Sequence, residues 1–230
     1  MTYTRMVDKV LHTEPDSLVA CWAHCGESGD VLYDFARFGP FNGAIAGGVT
    51  PSTTTRGYDF DGVDGRIDIY PAAVAPVHGF DGHEGSVVAL HQIPVAAYTD
   101  GVKRLVFQMQ VDNSNLVQLR KAAANNTFEM EWMGDDSSIV VTQDPFSDAA
   151  VMRHGLGWSV TDDMVTGYYN GGSLGNANMA FDFVGAINAM YACIGASTNA
   201  GDNPYKGWIG LVALWNKKLT DTQFGYLGLP

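Results

Sequence analysis

Between Trp208 and Trp215 the chain carries no charge, and the residues on both alternating faces are apolar or small. A strand with one wet face alternates, so this run predicts a strand covered on both sides. Gly207 and Gly210 disfavour a helix there, whereas Ile209, Val212 and the two tryptophans favour extended backbone. Just beyond, Thr220-Asp221-Thr222-Gln223 has capping-box spacing and predicts a short helix. Leu18 to Ala23 is a second run that is apolar on both faces. Elsewhere the period is two: Leu105–Val111, Leu116–Arg120 and Phe128–Trp132 alternate, with Asp112-Asn113-Ser114-Asn115 and Asn125-Asn126 as turns. Met6, Val7 and Val10 are the inward positions of a short amphipathic helix over residues 4–11, stopped by Pro15.

Composition agrees with many strands and many turns. The 230 residues include 27 glycines, well above the usual share of about 7%. Six Asn-Gly or Asp-Gly pairs run from Asn42 to Gly171, and no linker, repeat or compositional break interrupts them. A single β-rich domain follows. The formal net charge is −12 with 13 Lys plus Arg, which argues against nucleic acid and anionic membrane as partners. Lys103-Arg104 and Arg120-Lys121 are isolated pairs and read as solvated strand ends. The first residues hold no apolar core of a secretory signal, and no run reaches membrane-spanning length. Cys21 and Cys25 fall on one side of one strand and Cys193 lies in another apolar run, so all three read as buried thiols of a reducing compartment. Cys21, His24 and Cys25 lack a second ligand pair for zinc.

Four stretches in order carry a family resemblance. Gly207, Ile209, Val212, Leu214-Trp215-Asn216 and Leu219-Thr220 fit a closing strand, and Leu18, Ala20 and Trp22 an opening strand in which Cys21 replaces an aromatic. Between them stand Phe60-Asp61-Gly62, and then Trp158, Thr161 and Asp163 leading to Tyr168, Asn170 and Gly171. Glu27-Ser28-Gly29, Asp34 and Asn42-Gly43 match the loop after the opening strand. From Leu18 to Leu227 the chain resembles laminin G-like, concanavalin A-like jelly-roll domains. The resemblance implies an all-β, two-sheet antiparallel jelly-roll sandwich of about a dozen strands, its opening and closing strands adjacent and central. It implies a domain over residues 18–230, preceded by a segment, 1–17, that packs on the domain or on a neighbour. Phage-encoded members look similar from Lys9 through Trp22.

Some relatives hold calcium in the loop matched by Asp61 and Asp64, but Gly65, Gly210 and Leu211 stand at acidic positions, so no metal is expected. His78, Asp81, His83 and Glu84 are metal-capable at no known ligand spacing. Glu129 and Glu131 share a strand face as a glycosidase pair would, yet Met133-Gly134 breaks the longer carboxylate array of the concanavalin-like glycosidases. A solvated outer face is the reading taken. With no nucleophile elbow or phosphate loop, no enzyme and no cofactor are expected.

The function implied is a non-catalytic virion structural protein, a capsid decoration or tail-associated domain with glycan-binding ability. Its partners would be capsid or tail subunits in several copies and a host surface glycan, and its place the virion, made in the cytoplasm of the producing cell. The alternative is a carbohydrate-binding or lectin-like module. Trp132, Trp158, Tyr168 and Tyr169 could stack on sugars, with Asp135, Asp136 and Asn170 as polar partners, although such aromatics suit a sandwich core equally well.

Overall fold

A computed structural model describes residues 3–24, 31–32, 34–36, 42–52, 56–69, 82–124, 126–135, 137–143, 150–179, 183, 185, 189–198 and 200–228. Helix α1 (Tyr3–His12) precedes β1 (Leu18–Ala23), β2 (Val31–Leu32), β3 (Gly43–Ala46), β4 (Val49–Pro51), β5 (Tyr58–Asp61) and β6 (Arg66–Asp68). Longer strands follow: β7 (Glu84–Gln92), β8 (Arg104–Asp112), β9 (Asn115–Lys121), β10 (Phe128–Gly134), β11 (Ser137–Gln143), β12 (Met152–Ser159) and β13 (Met164–Tyr169). The chain continues through β14 (Gly172–Ala177), β15 (Cys193–Ile194), β16 (Lys206–Trp215) and helix α2 (Asp221–Gly228).

Two antiparallel sheets of eight strands each make a sandwich, the fold expected from the sequence. One sheet runs β14-β13-β12-β7-β16-β5-β4, with β1 also on β16; the other runs β11-β10-β9-β8-β15-β6-β3-β2. More strands form than the sequence suggested, because pieces such as β2 and β15 are too short to show a period. The opening and closing strands pair as anticipated, Leu18 opposite Trp215, Ala20 opposite Leu214 and Trp22 opposite Val212.

Strand β16 is central because both of its faces are covered. Ile209, Val212 and Leu214 point into the core between the sheets, while Trp208, Leu211, Ala213 and Trp215 join a second cluster with Met6, Val7, Val10, Phe224 and Leu227. The amphipathic stripe of α1 therefore lies on the protein's own sheet, and a helix too short to persist alone in water is held by that burial. At Gly210 the strand bulges, and the Trp208 ring lies so close that a Cβ there would come within 2.3 Å of it. Helix α2 begins with the capping box read from the sequence: Thr220 N donates to Gln223 Oε1 (2.7 Å), and Gln223 N donates to Thr220 Oγ1 (3.3 Å). Trp215 anchors both layers. It is fully buried, and its Nε1–H donates to the Thr13 carbonyl at 2.8 Å.

A chain of polar groups crosses the interior. His154 Nε2 meets the Gln143 Oε1 carbonyl at 2.6 Å, so that nitrogen carries the proton. His91 Nε2–H must then donate to His154 Nδ1 (2.8 Å), leaving His91 Nδ1 to accept from the Tyr205 hydroxyl (2.9 Å). Phe128 stacks on the His154 ring at 3.7 Å between centroids. Every donor has an acceptor only while both rings are neutral. Burial lowers the pKa of His91 to about 3, and burial together with the neighbouring His91 drives His154 down as well.

Two outcomes are expected. Trp215→Ala costs roughly 3–5 kcal/mol of stability by urea unfolding, as a fully buried aromatic truncation; a change within about 0.5 kcal/mol would show that the side chain does not bridge the layers. In acid, the unfolded chain protonates both histidines below about pH 6.5 while the folded protein holds them neutral, so stability falls with pH. Each withdraws up to about 1.4 kcal/mol per pH unit. Stability that stays flat from pH 6 to 4.5 would contradict the buried neutral pair.

Candidate functional site

The outer face of the first sheet is roofed by helices α1 and α2; among the described residues, neither helix covers β8, β9 and β10 of the second sheet. After a bulge between Leu105 and Phe107, alternation puts Phe107 and Met109 inward and Gln108 and Gln110 outward. On β9 the inward residues are Val117 and Leu119, and on β10 they are Phe128, Met130 and Trp132. The outward positions align across the strands, Gln108 opposite Gln118 and Gln118 opposite Glu131. A row of amides and a carboxylate thus crosses the face.

The loop after β15 folds against that row. Tyr205 N donates to the Gly195 carbonyl (2.7 Å) and Ser197 N to the Asp202 carbonyl (2.8 Å), closing the loop on itself. Gln108 Nε2 donates both to the Ser197 carbonyl (2.8 Å) and to Gln110 Oε1 (2.7 Å), tying loop to strand. Gln110 Nε2 continues to Asn113 Oδ1 at 3.3 Å, and Asn203 Nδ2 donates to Ser197 Oγ at 3.0 Å. Between strands and loop lies a cleft of about 270 Å³, walled by Gln108, Gln110 and Gln118 on one side and by Tyr191, Thr198 and Asn203 on the other, with Lys103 and Asn113 also lining it. The three glutamines are buried and held by these bonds, so their amides are preorganised. Gln118 donates to Glu131 Oε2, while its own Oε1 is buried with no partner among the described residues.

Three of the cations around the cleft are paired. Arg120 Nε donates to Glu129 Oε2 (2.6 Å), its Nη1 to Glu131, and Ser138 Oγ also donates to Glu131. Glu131 is buried, so the outer face at this point is a closed ionic network and not the solvated surface expected. The two basic dipeptides are likewise not solvated strand ends. Arg104 is 6% exposed and Lys121 is fully buried, because Asp100 reaches both: Oδ2 to Arg104 Nη2 (2.5 Å) and Oδ1 to Lys121 Nζ (3.1 Å). Burial alone would raise the Asp100 pKa. Hydrogen bonds from Arg104, Val102 N and Lys121 outweigh it and hold the carboxyl at about 2. This clamp fixes the lip that carries Lys103.

The sugar-contact residues anticipated from sequence are dispersed. Trp132 and Trp158 are fully buried in the intersheet core, the latter donating from Nε1 to the Gly82 carbonyl at 2.8 Å. Tyr168 lies beneath α2, stacked on Phe224 at 3.6 Å with its hydroxyl donating to Asp221 Oδ1 (2.7 Å). Tyr169 is half-buried beside His154, and Asn170 sits at positive φ in the hairpin turn before Gly171, its Oδ1 accepting from Arg153 N. Asp135 occupies the positive-φ turn after β10, and Asp136 lies outside the described residues. As they stand, Trp132, Trp158 and Tyr168 offer no face to a ligand.

Asp61 Oδ1 caps Val63 N (2.8 Å) and Asp64 Oδ1 accepts from Gly48 N (2.9 Å), so both carboxylates serve their turns. Glu84 accepts from Lys218 N, and His24 packs edge-on against Tyr58; Cys25, His78 and Asp81 lie outside the described residues. Cys21 and Cys193 are buried thiols, and burial beside Asp68 pushes the Cys193 thiol pKa up.

The residues that sequence reasoning passed over are the glutamines. Their signal was a pair of uncharged amides, Gln108 and Gln110, at successive outward positions of β8, where a merely wet strand would carry Lys, Glu or Thr. A larger cleft of about 420 Å³ opens beside β16 among Asp59, Asp61, Gln92, Pro94, Lys206 and Trp208. Its ionic groups are exposed, and its amide, Gln92, is half-buried.

No family model matches the chain, and no curated protein matches its sequence. Solved structures do share its fold. The binding domain of botulinum neurotoxin serotype D superposes with a TM-score of 0.70 at 12% identity, over 93% of this chain and 52% of that one. The serotype D ligand-binding domain in complex with N-acetylneuraminic acid gives 0.69 at 11% identity, over 93% and 51%. A Trypanosoma rangeli sialidase in complex with sialic acid gives 0.71 at 15% identity, over 99% of this chain and 37% of the enzyme. The chain therefore spans about half the length of the toxin domains, and at these identities the likeness defines a β-sandwich of jelly-roll type.

Replacing Asp100 by Ala leaves Lys121 buried without its carboxylate. The expected cost is about 3–5 kcal/mol in chemical unfolding. A loss below about 1 kcal/mol would place Lys121 in water.

Proposed function

We propose that this chain is a non-catalytic saccharide-binding β-sandwich module and that the cleft over β8 and β9 is its site. The observation that carries this is the set of buried, hydrogen-bonded amides at Gln108, Gln110 and Gln118, joined by Asn113, Asn203 and Thr198 at the rim. Sugar hydroxyls donate and accept at once, and carboxamides and hydroxyls are the side chains that answer both needs. The half-buried ring of Tyr191 supplies an apolar surface for the C–H face of a sugar. Two of the structural neighbours were solved with sialic acid, which supports the reading without fixing the site.

Catalysis is not part of the proposal. Glu129 and Glu131, the carboxylate pair on β10, are both engaged by Arg120, and Glu131 also by Gln118 and Ser138. Carboxylate oxygens already taken up by a guanidinium, an amide and a hydroxyl are not the free, facing pair that glycoside hydrolysis uses. Such a module can be carried on a virion as one of several copies. Helix α1 packs on the module's own sheet. No helix among the described residues is long and apolar enough to cross a membrane.

A glycan array followed by calorimetric titration tests the reading. The chain is expected to retain at least one saccharide class, and Gln110→Ala or Tyr191→Ala to weaken that binding about tenfold, equivalent to one lost hydrogen bond or contact. An array with no retained saccharide, or affinities indifferent to both substitutions, would overturn it.

A further inference from the structure

Resting on that reading, one group decides which saccharide fits. Four cations gather near the cleft: Lys103, Arg104, Arg120 and Lys121. Three are neutralised, Arg104 and Lys121 by Asp100 and Arg120 by Glu129 and Glu131. Lys103 lines the cleft, is half-buried, and makes no hydrogen bond or ion pair with the described residues. Its pKa is lowered by burial first and by Arg120 second, against the opposing pull of Glu131 and Glu129. An ammonium that is partly out of water and without an ion-pair partner among the described residues is a cost that an incoming anion would relieve. In the same cleft, the buried Gln118 Oε1 has no donor among the described residues. A neutral sugar answers the second need and not the first.

We infer that the cleft takes an anionic sugar, a hydroxylated ring bearing a carboxylate or sulfate, with Lys103 receiving the charge and the glutamine row receiving the hydroxyls. Lysine is a point-like donor without the planar fork of arginine, so it accepts either oxyanion and leaves discrimination between them to the cleft walls. The chain as a whole repels anions through its net charge of −12, and the selectivity therefore has to be local. Because one exposed edge of the ion pair faces water, the preference weakens as ionic strength rises.

The test is a titration of the whole chain with N-acetylneuraminic acid, glucuronic acid and galactose 6-sulfate against N-acetylglucosamine and galactose. At least one acidic sugar is expected to bind about tenfold or more tightly than the neutral ones, as one desolvated charge-assisted contact provides. Lys103→Gln should erase that margin, Lys103→Arg should keep most of it, and Lys103→Gln should melt no lower than the parent, since the lysine holds nothing in place. The carboxylated and sulfated arms tell which oxyanion the walls admit. Neutral sugars bound as tightly as acidic ones, or a margin that survives Lys103→Gln, would overturn the inference while leaving saccharide binding intact. If no sugar of either kind binds, the underlying reading fails with it.

Discussion

The fold depends on a strand that has no wet side. β16 sits at the middle of its sheet with the intersheet core beneath and two helices above, so all of its residues from Trp208 to Trp215 are buried. A sandwich sheet ordinarily shows one face to solvent. Here the apolar outer face of β1, β7 and β16 requires a cover, which α1 and α2 supply. The two helices are joined by Lys9 donating to the Tyr226 carbonyl, and by Gln223 donating to Glu14 beside the first strand. Both helices are thereby committed to one sheet, and neither covers the other.

That asymmetry places the candidate site. Helices cover the middle of the first sheet, whereas the opposite sheet presents strands whose outward side chains are fixed from below by the core. Rigid strands position polar groups better than loops do. The amides of Gln108, Gln110 and Gln118 gain their orientation from cross-strand neighbours and from one loop that closes over them. The Asp100 clamp performs a similar task for the lip. Its two cations are among the most buried charges of the molecule, and their burial is tolerable because each finds the same carboxylate.

Much of this architecture was legible in the sequence wherever the signal was local. Uncharged runs at residues 18–23 and 208–215 marked strands covered on both faces, and Thr220 with Gln223 marked the start of α2. Period-two alternation from residue 105 to 132 gave the meander that carries the cleft. The same alternation sets Trp132 on one face with Phe128 and Met130, and the structure shows that face to be the inner one. What stayed hidden depends on distant pairing. Nothing near Lys121 announces that Asp100 will reach it, and nothing near Gln108 announces a loop some ninety residues on, at Ser197. Tyr168 and Tyr169 look alike in sequence, yet they point to opposite sides of β13, and only the docking of α2 buries the first.

The central claim is that the open-face cleft is where a saccharide binds, and side-chain amide resonances report on it directly. In a titration with a retained saccharide followed by nitrogen-15 correlation spectra, the NH₂ signals of Gln108, Gln110, Gln118, Asn113 and Asn203 should shift together and saturate with one affinity. Signals from residues lining the cleft beside β16, such as Gln92 and the Trp208 indole, should stay in place. Shifts confined to Gln92 and Trp208, with the glutamine row unmoved, would contradict the account.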